Sequence, residues 1–218
     1  ALYKWMAETA TYMDLVRSIP HIGQIKAAKN VRTRKLTKKE DIQRLWAALD
    51  RVEPRAGALA VKFLLLSNRR SIEVRRMTVQ QVDLDRAAWD IPAEENKSGR
   101  PIRQPLTPTM ISIIREAQGN RQSGYVFSTT QGDRMIALGS KIVNAFVAEA
   151  DIPHISLHDF RRTISTGMDE HLGIPHRVIT LTAGHFSAGI EEHYRQSERK
   201  PYDEQMDAYL RWEKYACA

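Results

Sequence analysis

The stretch Ala58–Leu66 is apolar on every side of a helix except at Lys62, and a helix of that kind belongs in the middle of a core. The spacing predicts a buried helix from about Arg55 to Ser67, around which the rest of the chain must be arranged. The run is too short to cross a bilayer. The first twenty residues carry charges throughout and lack the apolar centre of a signal peptide. With 218 residues, 42% of them hydrophobic, the chain can enclose one good core and part of a second unit. Its one cysteine, Cys217, excludes an internal disulfide framework and a cysteine-rich zinc site, which suits a reducing cytoplasm.

Upstream of the buried helix, Ala1–Pro20 reads as one helix with Leu2, Trp5, Met6, Tyr12, Met13 and Val16 on its apolar side. A basic connector follows, in which Lys26, Lys29, Arg32, Arg34, Lys35, Lys38 and Lys39 have no acid among them. A domain is expected to begin at Thr37, where Thr37-Lys-Lys-Glu40 has the form of a capping box ahead of Ile42, Leu45, Trp46 and Leu49 at helical spacing. After Glu73–Met77 the pattern changes to short extended pieces, Val82–Asp85, Trp89–Ile91 and Ile102–Pro105, separated by turns at Asp85-Arg86 and Asn96–Gly99. They predict a small antiparallel sheet in a mainly α domain, with Lys97 near a hairpin turn. The remainder reads as helices over Pro108–Gln118, Ser140–Ala150, Ser156–Leu172, Pro175–Thr182 and Ala188–Tyr194. Ser140 and Ser156 are the expected N-caps, and Gly173 with Pro175 the helix stop. In the tail, Pro201–Ala218, a short helix would carry Met206, Tyr209, Leu210 and Trp212 on one side.

An excess of 33 Lys and Arg over 26 Asp and Glu, net +7, fits a polyphosphate ligand and equally a merely basic enzyme. The order of particular residues narrows the choice. Arg70 follows directly on the buried helix, with Glu73 three residues on to orient its guanidinium while leaving donors free. His158 and Arg161 are three apart on a predicted helix and so share a face, while Leu157, Phe160, Ile164 and Met168 make the adjoining apolar one. His185 and Tyr194 come after them. Two guanidiniums and a lysine can hold a phosphate, imidazoles can move protons, and a phenol can attack phosphorus, all without a metal or other cofactor.

Together these segments resemble the tyrosine recombinase (phage integrase) family, whose pattern is Thr-Gly-x-Arg-x-x-Glu, a sheet lysine, His-x-x-Arg, Gly-His, and a tyrosine about nine residues later. The matching stretches are Ser67–Glu73, Lys97, His158-Asp-Phe-Arg161, Gly184-His185 and Tyr194. Trp89–Pro101, continuing to Pro105-Leu106, is most similar to integrases of satellite prophages and genomic islands. Two positions depart from the pattern: Asn68 stands where the family has Gly, and Thr182-Ala183 precede Gly184-His185.

The resemblance implies a catalytic domain over 37–195, preceded by a remnant of a core-binding domain and its basic linker (1–36) and followed by a tail helix (196–218). It implies that Arg70 and Arg161 grip the scissile phosphate and that Tyr194 attacks it to form a 3′-phosphotyrosyl link. Lys97 would protonate the leaving 5′-oxygen, His158 would assist proton transfer, and His185 would hydrogen-bond the phosphate. Lys26, Lys29, Arg32, Arg34 and Lys35 would meet DNA backbone. The implied partners are double-stranded attachment sites, other protomers in a tetramer, a host DNA-bending protein and an excisionase; the tail would either pack on its own domain or dock on a neighbouring protomer. No cofactor is implied. Two other readings remain open at this point: strand relaxation like that of a type IB topoisomerase, and a DNA-binding remnant without catalysis.

Overall fold

A computed structural model of the chain describes residues 34–185 and 199–217. Helix α1 (Lys39–Ala48) leads to α2 (Arg55–Ser67), in which every residue from Gly57 to Ser67 is buried. The short helix α3 (Ser71–Arg76) precedes a three-stranded antiparallel sheet of β1 (Val82–Asp83), β2 (Ala88–Ile91) and β3 (Ile102–Pro105), in that spatial order. Then come α4 (Pro108–Gln118), α5 (Ser140–Ala150), α6 (Leu157–Thr166), α7 (His176–Thr182) and α8 (Arg199–Cys217). Most of the structure is helix with one small sheet, as the sequence pattern predicts.

Helix α2 is the axis of the core. It packs on α4 and α6, and its Phe63 ring meets Trp89 of β2 edge-on at 5.9 Å. Trp89 faces Gln104 and Ile91 faces Ile102 across the sheet, which puts alternate residues of β2 toward the helix. Lys62, the one charge in the apolar run, keeps its stem buried. Its amine lies 2.7 Å from both oxygens of Asp50 and 4.5 Å from the Trp46 ring centroid.

A helix that ends inside a core leaves carbonyls that water cannot reach. Here the tail satisfies them: Trp212 donates its indole N–H to the Leu65 carbonyl at 2.8 Å, and the Tyr209 hydroxyl lies 3.1 Å from the Ser67 carbonyl. Both rings are fully buried, so α8 docks on its own domain, against α1, α2, α7 and β3. Of the two placements the sequence leaves open for the tail, the single chain takes the one on its own domain. The buried stripe of α8 is Gln205, Ala208, Tyr209, Trp212 and Ala216, at helical spacing. Leu210, expected on that stripe, is turned to solvent at 43% exposure, since it lies one residue and about 100° past Tyr209.

Three local expectations need correction. Helix α1 starts at Lys39 with Lys38 as N-cap, and Thr37 makes no side-chain cap. Tertiary contacts intervene: the Leu36 amide donates to Thr163 Oγ1 at 3.0 Å and the His171 ring meets the Thr37 carbonyl at 3.2 Å. Ser140 is the first residue of α5, whose N-cap is Gly139. Ser156 does cap α6, with the Asp159 carboxylate accepting both its amide and its hydroxyl. The single helix expected over Ser156–Leu172 is α-helical only to Thr166 and then widens into a π turn over Gly167–His171, closed by Leu172 N–H to Gly167 O at 3.2 Å. The widening begins where Trp212 presses on Gly167, at a spot with no room for a Cβ. The expected helix over Ala188–Tyr194 lies outside the described residues, as does Ala1–Pro20.

Trp212→Ala should cost about 3–5 kcal/mol of unfolding free energy, read by denaturant titration. Gly167→Ala should cost about 1–3 kcal/mol by forcing a methyl into the indole. In the Trp212→Ala background, Gly167→Ala should become close to neutral; strict additivity of the two would contradict the packing described.

Candidate active site

Arg70 sits at the N-cap of α3, immediately beyond the turn that ends α2. Glu73 holds it twice: one carboxylate oxygen accepts the Arg70 amide at 3.1 Å and the other accepts Nη1 at 2.6 Å. Glu73 is 2% exposed, and that ion pair occupies one nitrogen of a fork carrying five donors.

Arg161 reaches the same place from α6. Its Nη2 donates to the Ala183 carbonyl at 2.8 Å and lies 3.1 Å from Nε2 of His185, while Nη1 is buried with no partner among the described residues. Burial first, then the adjacent Arg70 charge, pushes the Arg161 guanidinium down to about 10, so it remains a cation at neutral pH. An arginine can only donate, so His185 Nε2 is the acceptor and its ring proton rests on Nδ1. The same causes, burial and then the charges of Arg161 and Arg70, lower the imidazole below its usual range and keep it neutral.

His185 is placed by a helix cap. Gly184 takes a left-handed φ of 66°, its amide donates to Leu181 O at 2.9 Å, and the His185 amide donates to Thr180 O at 3.0 Å. This is the Schellman arrangement that ends α7, and it explains why glycine precedes the histidine. The two positions that depart from the family pattern meet each other nearby. Asn68 ends α2 with a left-handed φ of 52°, and its buried amide donates to Thr182 Oγ1 at 2.9 Å and to Ser165 Oγ at 3.3 Å. One side chain thus ties the segments carrying Arg70, Arg161 and His185. Tyr209 reinforces the junction, its hydroxyl standing 3.1 Å from the Thr182 carbonyl as well as from that of Ser67. Sequence spacing does not disclose these links, because the partners are far apart in the chain.

Lys97 is exposed on the turn between β2 and β3. The turn is anchored by Asn96, buried to 8%, which accepts the Ser98 amide at 2.9 Å and donates to Pro92 O at 3.2 Å. His158 is exposed in the first turn of α6, one turn before Arg161. Of the basic residues expected on DNA, Arg34 is exposed, whereas the Lys35 amine is turned inward to Thr166 at 3.3 Å and Glu170 at 3.4 Å. Tyr194, Lys26, Lys29 and Arg32 lie outside the described residues.

Asn68→Gly retains the left-handed turn but loses the amide bonds. It should therefore lower stability by about 1–2 kcal/mol, and the melting temperature by several degrees. A melting curve superimposable on the parent's would show that the junction does not depend on this side chain.

Residues 35–200 match the model of the phage integrase family. Prophage integrase IntF of Escherichia coli (strain K12) is 26% identical over 171 residues, covering 76% of this chain and 35% of the relative. The chain therefore spans about a third of that curated relative's length. Among solved structures, the integrase from mycobacterium phage Brujita superposes with a TM-score of 0.63 at 18% identity, covering 95% of this chain and 70% of that one. XerA recombinase gives 0.56 at 15% identity, covering 75% and 63% respectively. XerH recombinase, solved on its difH substrate in a pre-cleavage complex, gives 0.56 at 16%, covering 76% and 51%. The fold is that of tyrosine recombinase catalytic domains, and the chain belongs to the phage integrase family.

Proposed function

We propose that this chain is the catalytic part of a site-specific DNA recombinase that cleaves and rejoins strands through a 3′-phosphotyrosyl intermediate. One observation carries the reading: Arg70, Arg161 and His185 converge from three separate segments, with buried Arg161 Nη1 left without an acceptor among the described residues. Such a cluster calls for an anion with several oxygens, and a phosphodiester has two non-bridging ones. Arg70 and Arg161 would hold these oxygens through the transition state, and His185 would donate from Nδ1. Tyr194 Oη would form the bond to phosphorus while the bond to the 5′-oxygen breaks. The phenolic proton would leave by way of His158, and Lys97 would supply a proton to the departing alkoxide. The new ester conserves the energy of the old one, so rejoining requires no ATP.

Two other tyrosines of the catalytic part, Tyr202 and Tyr209, are poorer nucleophiles, which supports Tyr194. The Tyr209 hydroxyl is buried under α7 at the Asn68 junction. The Tyr202 hydroxyl donates to Ala87 O at 2.8 Å, and burial raises its pKa, which disfavours phenolate. Duplex DNA as the ligand is supported by the related XerH having been solved on its difH substrate. Attachment-site duplexes, assembly into a tetramer, and backbone contacts through Arg34 with Lys26, Lys29 and Arg32 belong to the same proposal. Lys35 has less to offer DNA while it is engaged by Glu170.

A nicked duplex that traps covalent protein–DNA complex tests the reading. Tyr194→Phe should retain DNA binding and yield no adduct; an adduct that persists would move the nucleophile elsewhere. Arg70→Ala and Arg161→Ala should each slow cleavage by about a hundred- to thousandfold. Binding should fall much less, because a duplex is held by many other phosphate contacts. Parallel losses of binding and cleavage would reduce both arginines to ordinary DNA contacts.

A further inference from the structure

Next to Arg70 stands a second arginine that the chemistry above does not use. Arg69 is 1% exposed, among the largest fully buried side chains of the chain. Its Nε donates to Gln104 Oε1 on β3, while Nη1 and Nη2 have no partner among the described residues. Nη1 lies so close to Gly184 that a Cβ there would overlap it. One guanidinium therefore adjoins Arg70 by sequence, the strand that follows the Lys97 turn through Gln104, and the cap that places His185 through Gly184. A buried cation without a carboxylate is costly to the fold, and an apolar side chain of similar length would be cheaper. A chain that carries one beside a cluster of phosphate-binding groups is giving up stability for electric field.

We propose that Arg69 is a positioning residue whose buried charge, unpaired with any carboxylate among the described residues and held between β3 and the Gly184–His185 cap, sets the positive field in which Arg70, Arg161 and His185 receive a phosphodiester. The proposal rests on the function inferred above. The Arg69 charge acts on both neighbours, lowering the pKa of Arg161 and of His185, although less than Arg70 does. It cannot itself reach DNA, since its side chain is closed off from solvent. Fixed charge behind the reacting groups needs no rearrangement when the transition state forms.

The test compares Arg69→Met and Arg69→Lys in the full chain by melting temperature, rate of covalent-complex formation on the nicked duplex, and NMR titration of the His185 imidazole. Arg69→Met should melt at or above the parent temperature yet form adduct at least about tenfold more slowly. Arg69→Lys, which retains the charge, should recover most of that rate. The His185 titration should move to higher pH in Arg69→Met. The groups facing the ring are Arg161 from α6, Arg70 and Glu73 from α3, and Arg69 itself, so removing one cation relieves repulsion of the imidazolium. A parent-like rate for Arg69→Met, or loss of folding and rate together, would overturn the proposal, as would a lysine variant as slow as the methionine one. If the parent chain forms no adduct, the recombinase reading fails by itself. The titration still decides the role of Arg69, and an unmoved His185 titration would reject it.

Discussion

Helix α2 ends in the interior of the protein, and the rest of the site depends on how that end is closed. A buried helix terminus must find donors for its last carbonyls, and those of Leu65 and Ser67 find them in Trp212 and Tyr209 of the tail. Asn68 turns the chain out of the helix in the left-handed region and spends its amide on Ser165 and Thr182. The next residues are Arg69 and Arg70. A shift in the end of α2 would therefore move the Arg70 guanidinium, the helix that carries Arg161 and the cap that carries His185 together. The tail helix, remote in sequence, is part of the same closure.

The electrostatics follow from that geometry. Three guanidiniums and an imidazole are gathered where Glu73 is already committed to Arg70. The arrangement opposes folding and favours an anion; burial first, and then the neighbouring cations, lower the pKa values of Arg161 and His185. His185 responds by staying neutral, accepting from Arg161 on one nitrogen and holding a proton on the other. A neutral imidazole flanked by arginines keeps a donor without adding to the repulsion.

Much of this was legible in the sequence. The all-round apolarity of Ala58–Leu66 specified a buried helix, and the change from helical spacing to short alternating runs specified the sheet between Val82 and Pro105. The membership of Arg70, Arg161 and His185 in one site was readable from their order in the family pattern, and the Arg70–Glu73 pair from spacing alone. Local signals failed where distant residues competed for the same groups. Thr37 does not cap α1 where the Leu36 amide is bonded to Thr163 and the Thr37 carbonyl meets His171, and the helix through Gly167 widened under a tryptophan from the tail.

The sequence by itself determined which residues could be buried, where helices and strands run, and which charges are available, since periodicity and backbone preference act over a few neighbouring residues. Only the tertiary structure decided which charges are compensated. Lys62 within an apolar run and Arg69 just past it are both cations, yet one meets Asp50 and the other meets no carboxylate among the described residues. Nothing within a few residues of either distinguishes them, because a charge is paired or left unpaired by what the fold brings to it from elsewhere in the chain.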